Sequence, residues 1–286
     1  MLREIRALGF EYAELSHGIR ISLLPGIIEA VEAGDIKISS LHNFCPLPLG
    51  INHAAPNVYQ FSSEDRRERD LAWRHSTKTI ETAARLKAPA VVLHCGSIDM
   101  KDYTERLLKM LEKGQRETPK YAALCEEVAE KWEDKKQDYV ERSGEMIGRL
   151  AELAEKHGVK LGIENRQALE EIPIDGDLQM LLLEFNRPSV GYWHDCGHAQ
   201  IKHNLGFIDH RMHLDAMSPR LLGMHVHDVV FPGKDHAAPG SGMIDYAALK
   251  PMIKPEHIKV FELSPRLSPE EAGGGVAFVK QVWGAE

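Results

Sequence analysis

The sequence predicts an α/β protein of the (β/α)8 TIM-barrel class, on three observations. Short apolar segments alternate with longer helical patterns, several of those segments are apolar at nearly every position, and almost every one ends in a His, Asp or Glu. Unbroken apolar strands are what a parallel sheet covered on both faces requires. Regular β-then-α alternation along the whole chain favours a barrel over an open sheet, and a barrel gathers its C-terminal strand ends on one rim.

The elements follow in order. Residues 2–9 (LREIRALG) read as a helix and precede a strand at Phe10–Leu15. An eight-stranded barrel needs one strand more than the seven read here, so the first strand is expected to be missing upstream or to lie elsewhere in a form the pattern does not show. The second visible strand is Ile36–Asn43, and a helix over Ser63–Leu86 leads to the third, Ala90–Cys95. From Asp99 to Ser143 the chain is dense in Lys and Glu (EKWEDKKQDYVERS), with sparse apolar positions at Leu107, Leu108, Leu111, Leu124 and Val128. That stretch is expected to be a solvated helical insertion; the sharper alternative is a lid or an arm for homo-oligomer assembly. Gly144–His157 carries a helical stripe (Met146, Ile147, Leu150, Leu153, Ala154) that stops at Gly158. Strands at Val159–Asn165, Val190–Asp195, Leu222–Val229 and Ile258–Leu263 complete seven, and residues 1–286 read as a single domain with 99–143 inserted.

Composition narrows the function. The 286 residues hold 35 Lys+Arg against 43 Asp+Glu, a formal charge of −8, with 43% hydrophobic and 27% charged residues, an ordinary soluble profile. The longest apolar runs are strand-sized, short of the ~20 residues a membrane helix needs. The N-terminus mixes acid with base and has no apolar core, so no signal peptide is expected. Cys45, Cys95, Cys125 and Cys196 form no CxxC pair, which suits a reduced, cytoplasmic chain. The acidic balance disfavours nucleic acid as a partner and favours a small molecule.

The strand ends carry the chemistry: His42, His94, Glu164, Asp195 with His198, His225 with His227, and Glu262. Burying so many ionisable groups together costs several kcal/mol for each unpaired charge, and a divalent cation removes the difficulty. Glu164, Asp195, His225 and Glu262 make an oxygen-rich set that suits one Mn, Mg, Co or Zn ion better than a thiolate site would. No organic cofactor is expected. Cys95 and Cys196 read as buried hydrophobes, His203, His210 and His213 as surface or packing histidines, and Trp193 as wall or core. Arg166, Lys234 and Arg266 are within reach of a phosphate or carboxylate, although ion pairing is the commoner fate of such side chains. The connection Pro46–Phe61 is long and suits a cover over the substrate.

Eight motifs then occur in a fixed order: GFEYAEL (9–15), SLH (40–42), VVLHCG (91–96), GIEN (162–165), Asp195-x-x-His198, HVHD (225–228), PGSGMID (239–245) and FEL (261–263). In this order the chain resembles the xylose isomerase-like TIM-barrel superfamily, the sugar phosphate isomerase/epimerase group that also contains the three-zinc AP endonucleases. The resemblance implies that Glu164, Asp195, His225 and Glu262 bind one metal and that Glu164 and Glu262 are also the acid/base pair. It implies a small sugar, sugar phosphate or related polyol as substrate, with proton transfer through an enediolate. His42, His94, His198, His227, His236 and Arg166 fall to the substrate side of the site. A dehydratase of a cyclic polyol or keto acid would use the same four ligands. An AP-endonuclease-like zinc phosphodiesterase would add His42, His94, His198 and His236, but Lys234 stands where that family has an Asp, with Asp235 shifted by one. A metal-binding module without catalysis is the remaining alternative; both glutamates, intact, argue against it.

Overall fold

The structure, a computed structural model, describes residues 1–54 and 56–284. In chain order the elements are α1 (Leu2–Ala7), β1 (Tyr12–Leu15), α2 (Leu24–Glu32), β2 (Lys37–His42), α3 (Arg66–Arg85), β3 (Ala90–Leu93), α4 (Tyr103–Glu112) and α5 (Pro119–His157). They continue with β4 (Lys160–Glu164), α6 (Asp175–Phe185), β5 (Val190–Asp195), α7 (Cys196–Leu205), α8 (His210–Met217), β6 (Leu221–Val226) and β7 (Asp228–Val230). The last four are β8 (Lys234–Ala237), α9 (Tyr246–Leu249), β9 (Ile258–Phe261) and α10 (Pro269–Trp283). The chain divides into two compact units. The first comprises Met1–Ser97, Asp138–Glu164 and Leu181–Gly191; the second comprises Ile98–Gln137, Asn165–Met180 and the chain from Tyr192 onward.

In the first unit β1 to β4 pair in parallel, each with the next. Leu15, Ile38, Leu41, Val91, Val92, Leu93, Leu161 and Ile163 are buried, as are Ile80 and Ala83 of α3. Leu93 and Ile163 face opposite sides of the sheet from their buried neighbours Val92 and Gly162, so both faces are covered and the strands can be apolar throughout. α3 starts where the Asp65 side chain accepts from the Arg67 N–H at 2.8 Å, closing one of the unpaired amides of its first turn.

In the second unit β5, β6 and β9 pair in parallel, and β7 with β8 forms an antiparallel hairpin. The seven parallel strands fall where the sequence places them. One expected strand, Leu222–Val229, is divided: β6 ends at Val226 and the hairpin begins at Asp228. Hydropathy reads the apolar run as continuous because Val226 and Val229 are both buried.

The charged stretch also differs from expectation at one boundary. No break separates it from the helix at Gly144; α5 runs unbroken for 39 residues. Tyr121, Leu124 and Val128 keep helical spacing and are buried, and Trp132 Nε1 donates to the Leu169 carbonyl at 2.7 Å. In the second unit this part of α5 is therefore packed through one face. α5 ends at Gly158, whose φ of +67° suits a residue without a Cβ. Among the described residues no helix is long and apolar enough to cross a membrane.

Candidate metal and active site

The register of the second unit places the first two polar strand ends side by side. Asp195, last residue of β5, lies opposite His225 of β6, and Val226 lies opposite Phe261, so Glu262 follows the end of β9 immediately. His225 Nδ1 is 3.5 Å from Asp195 Oδ2 and 3.1 Å from Glu262 Oε2. One ligand atom from each of the three lies within 4.8 Å of the others. Asp195 and His225 are fully buried, whereas the Glu262 side chain is 32% exposed, making it the member that a substrate can touch. Trp193 forms the wall expected of it, its ring edge-on to His225 at 5.3 Å. That wall requires Gly223, since a Cβ there would lie 2.5 Å from the indole.

The surrounding hydrogen bonds settle which nitrogens hold protons. The backbone N–H of His236 donates to His227 Nδ1 at 2.9 Å, and an amide can only donate. His227 is therefore the Nε2–H tautomer and donates to both oxygens of Asp195, at 3.0 and 3.1 Å. With both nitrogens engaged, His227 supports Asp195 and has no lone pair for a cation. His236 Nδ1 donates to the Glu262 carbonyl at 3.0 Å, and His198 Nδ1 donates to the Asn165 carbonyl at 2.9 Å. In its neutral form each of these two rings presents Nε2 as an acceptor.

Asp195 is held on every side. Its Oδ1 accepts from the His198 N–H at 2.7 Å, capping α7; its own N–H donates to Asn165 Oδ1 at 2.7 Å; its carbonyl accepts from Asn165 Nδ2 at 3.0 Å. Burial opposes ionisation of this carboxyl, but nearby His198 and His227 and the hydrogen bonds from His225 and His227 hold its pKa well below the usual range. Gly197 is required here too, because a Cβ would sit 2.1 Å from His227 Cε1. The following residue of the HVHD motif anchors a loop. Asp228, fully buried, accepts from the amides of Val229, Gly240, Gly242 and Ile244 at 2.8, 2.8, 3.1 and 3.0 Å. Arg166 is buried and donates through Nε and Nη2 to Glu171 Oε1 at 3.1 and 3.0 Å, so its charge is met within the protein.

The first unit carries the other expected residues. Glu164 ends β4, buried, with His94 Nε2 2.7 Å from its Oε2. The His42 and His94 rings meet edge-on at 4.5 Å. Sequence reasoning missed a third ring: His17 lies 4.8 Å from His42 and 6.4 Å from His94. Its signal was present, since His17 follows β1 by two residues, as His94 follows β3 by one. Asp195, His198, His225, His227, His236 and Glu262 thus gather in the second unit, and His42, His94 and Glu164 in the first. Lys234 and Arg266 are exposed. Cys95 and Cys196 are buried free thiols, in line with their reading as hydrophobes.

The donor set suits a hard or borderline divalent cation: two carboxylates and one imidazole nitrogen at mutual distances that one ion can span. Among curated protein sequences none matches the chain significantly. Solved structures match in fold. A D-tagatose 3-epimerase-like protein superposes with a TM-score of 0.71 at 16% identity, covering 98% of this chain and 90% of its own. D-psicose 3-epimerase with D-tagatose from Clostridium cellulolyticum H10 gives 0.67 at 13% identity, covering 99% and 92%. The IolI protein with a bound zinc atom gives 0.65 at 18% identity, covering 99% and 91%. The family described as xylose isomerase-like TIM barrel matches residues 2–281, and the chain belongs to that family.

Proposed function

We propose that the chain is a divalent-metal-dependent isomerase or epimerase of a small sugar or related polyol. The observation that carries this reading is the Asp195–His225–Glu262 trio at three parallel strand ends. Relatives in fold that are named as sugar 3-epimerases, and one that holds zinc, support it. Asp195, His225 and Glu262 would hold the ion, with Glu164 as the fourth ligand that the family resemblance implies. A divalent cation, when bound, polarises a substrate carbonyl and stabilises the negative charge of an enediolate.

The protein's own groups do the rest. Glu262, the partly exposed carboxylate, removes the carbon-bound proton, and Glu164 returns one on the opposite face. The bare Nε2 atoms of His198 and His236 accept hydroxyl protons of the sugar and so orient it. His227 keeps the Asp195 carboxylate turned toward the trio. The internal pairing of Arg166 with Glu171 favours an uncharged sugar over a phosphate ester. Four free cysteines suit a reducing, cytoplasmic setting.

The experiment is solvent-deuterium exchange. With Mn²⁺ or Co²⁺ present, deuterium should enter a ketose at a carbon next to the carbonyl, and Glu262→Gln should abolish that exchange. No exchange in any ketose, together with cleavage of abasic DNA, would instead support the zinc phosphodiesterase reading. That second reading is favoured by the His42–His94 pair beside Glu164 in the first unit, and disfavoured by Lys234 and the −8 charge.

A further inference from the structure

Behind Asp195, on the opposite face of β5, runs a buried chain of hydrogen bonds that the proposed chemistry does not use. His213 Nε2 lies 3.0 Å from the Tyr192 hydroxyl, which lies 2.7 Å from His194 Nδ1. His194 Nε2 lies 3.0 Å from His210 Nε2, and His210 Nδ1 lies 3.0 Å from Gln200 Oε1. Gln200 Nε2 donates to Asn204 Oδ1 at 2.9 Å, and Asn204 Nδ2 donates to the Pro232 carbonyl at 2.8 Å. Tyr192, His194, Gln200, Asn204 and His210 are all buried. The sequence reading of His210 and His213 as surface or packing residues missed this chain, because its members come from one strand, two helices and a hairpin loop.

Its last link fixes every other. A carbonyl can only accept, so Asn204 must donate with its amide nitrogen and accept with its oxygen. Gln200 then donates to Asn204 and presents Oε1 to His210, whose Nδ1 must carry the proton. Burial pushes the His210 pKa down to about 3, so its other nitrogen is bare at neutral pH and accepts from His194 Nε2–H. His194 Nδ1 is then bare and accepts the Tyr192 O–H, and the Tyr192 oxygen accepts His213 Nε2–H. All the protons point one way. The chain cannot relay protons: its terminal carbonyl has none to give, and two amide side chains would have to turn over. What it does is tie β5 to α7 and α8, and α7 to the β7–β8 turn at Pro232.

We infer that His194, held by Tyr192 and His210 in this one-way chain, is a positioning residue that sets the Asp195 carboxylate for cation binding. The inference rests on the proposed metal site. Asp195 is the next residue in β5 and also the N-cap of α7, the helix that carries Gln200 and Asn204, so both elements meeting at Asp195 are fixed from behind. Supports of this kind orient ligands at metal sites, and removing them typically lowers metal affinity 10- to 100-fold.

The test pairs side-chain ¹⁵N NMR with Mn²⁺ titration of the full chain. In the wild type, His194 should be the Nε2–H tautomer and His210 the Nδ1–H tautomer; the reverse pair, or an imidazolium at either, would overturn the chain. Tyr192→Phe and His194→Leu should raise the Mn²⁺ dissociation constant about tenfold. His194→Gln, whose amide can accept from Tyr192 and donate to His210, should restore the wild-type value. Melting temperatures run alongside: lower stability with unchanged affinity of the folded protein would mean a merely structural role and overturn the inference. If Tyr192→Phe or His194→Leu binds Mn²⁺ as tightly as the wild type, the positioning role fails while the metal site stands. A wild type that binds no divalent cation removes both.

Discussion

The two histidine-rich clusters are built on different principles. In the second unit the main chain dictates the state of the rings: the His236 amide sets His227, the Asn165 carbonyl sets His198, and the Glu262 carbonyl sets His236. In the first unit His17, His42 and His94 meet one another edge-on, and His94 meets Glu164. Backbone partners cannot change from donor to acceptor, whereas imidazoles can. The cluster around Asp195 is therefore prepared for a ligand of one sign and geometry, whereas around His42 one longer main-chain contact, His42 Nδ1 to the Asn43 carbonyl at 3.5 Å, accompanies the edge-on rings and the His94–Glu164 pair.

Four measurements break or sharpen this contrast, and the first should be the most severe. Glu262→Gln removes a proton-transfer group and should cost turnover a factor of about 10² to 10⁴ with the fold retained by circular dichroism; near-normal turnover would move the chemistry elsewhere. Next comes His227→Leu, which should weaken Mn²⁺ binding about 10- to 100-fold in a calorimetric titration, since the Asp195 carboxylate loses its Nε2–H donor. Third is acid sensitivity. His210 titrates near 3 in the fold, and burial likewise lowers His194 and His213, while an unfolded histidine titrates near 6.5. Between those values the unfolded chain binds the extra protons, so stability is complete above about pH 6.5 and falls as pH drops toward 3. Urea unfolding should show a loss of about 1.4 kcal/mol per pH unit for each histidine that stays neutral in the fold. A flat profile between pH 7 and 5 would contradict the buried neutral rings. The mildest effect is expected of His42→Gln: a higher KM for the sugar and an unaltered Mn²⁺ affinity. A loss of affinity matching that of His227→Leu would erase the distinction between the clusters.

Much of this was legible in the sequence where one residue type had one plausible neighbourhood. The seven parallel strands were found because two-sided burial leaves an unbroken apolar run, and Asp195, His225 and Glu262 because they end such runs. What escaped detection depends on which neighbour the folded chain selects. Nothing local shows that the His236 amide, nine residues on, caps His227 and ends β6 before the hairpin. The continuity of α5 past Gly144 was hidden because charged residues crowd the solvent side of a stripe that never loses its helical spacing. Arg166 looked available for a substrate anion, but Glu171, five residues on in the loop after β4, pairs with it. His17 was passed over because a single histidine after a four-residue strand carries little weight until two other rings gather around it.

The Asp228 carboxylate bears on how this protein can diversify. It reads four amides, three of them (Gly240, Gly242 and Ile244) in the loop from Ala238 to Asp245, so much of that loop's shape is held through its backbone. Two positions are closed to change: Gly240 has φ +85°, and a Cβ on Gly242 would lie 2.4 Å from Asp228 Oδ1. Between and beside them, Ser241 and Met243 are exposed. Ser241 Oγ donates to the Ala238 carbonyl at 2.7 Å and Met243 Sδ accepts from Asn204 Nδ2 at 3.3 Å, so substitutions at those two positions measure how far the Asp228 carboxylate alone holds the loop's backbone.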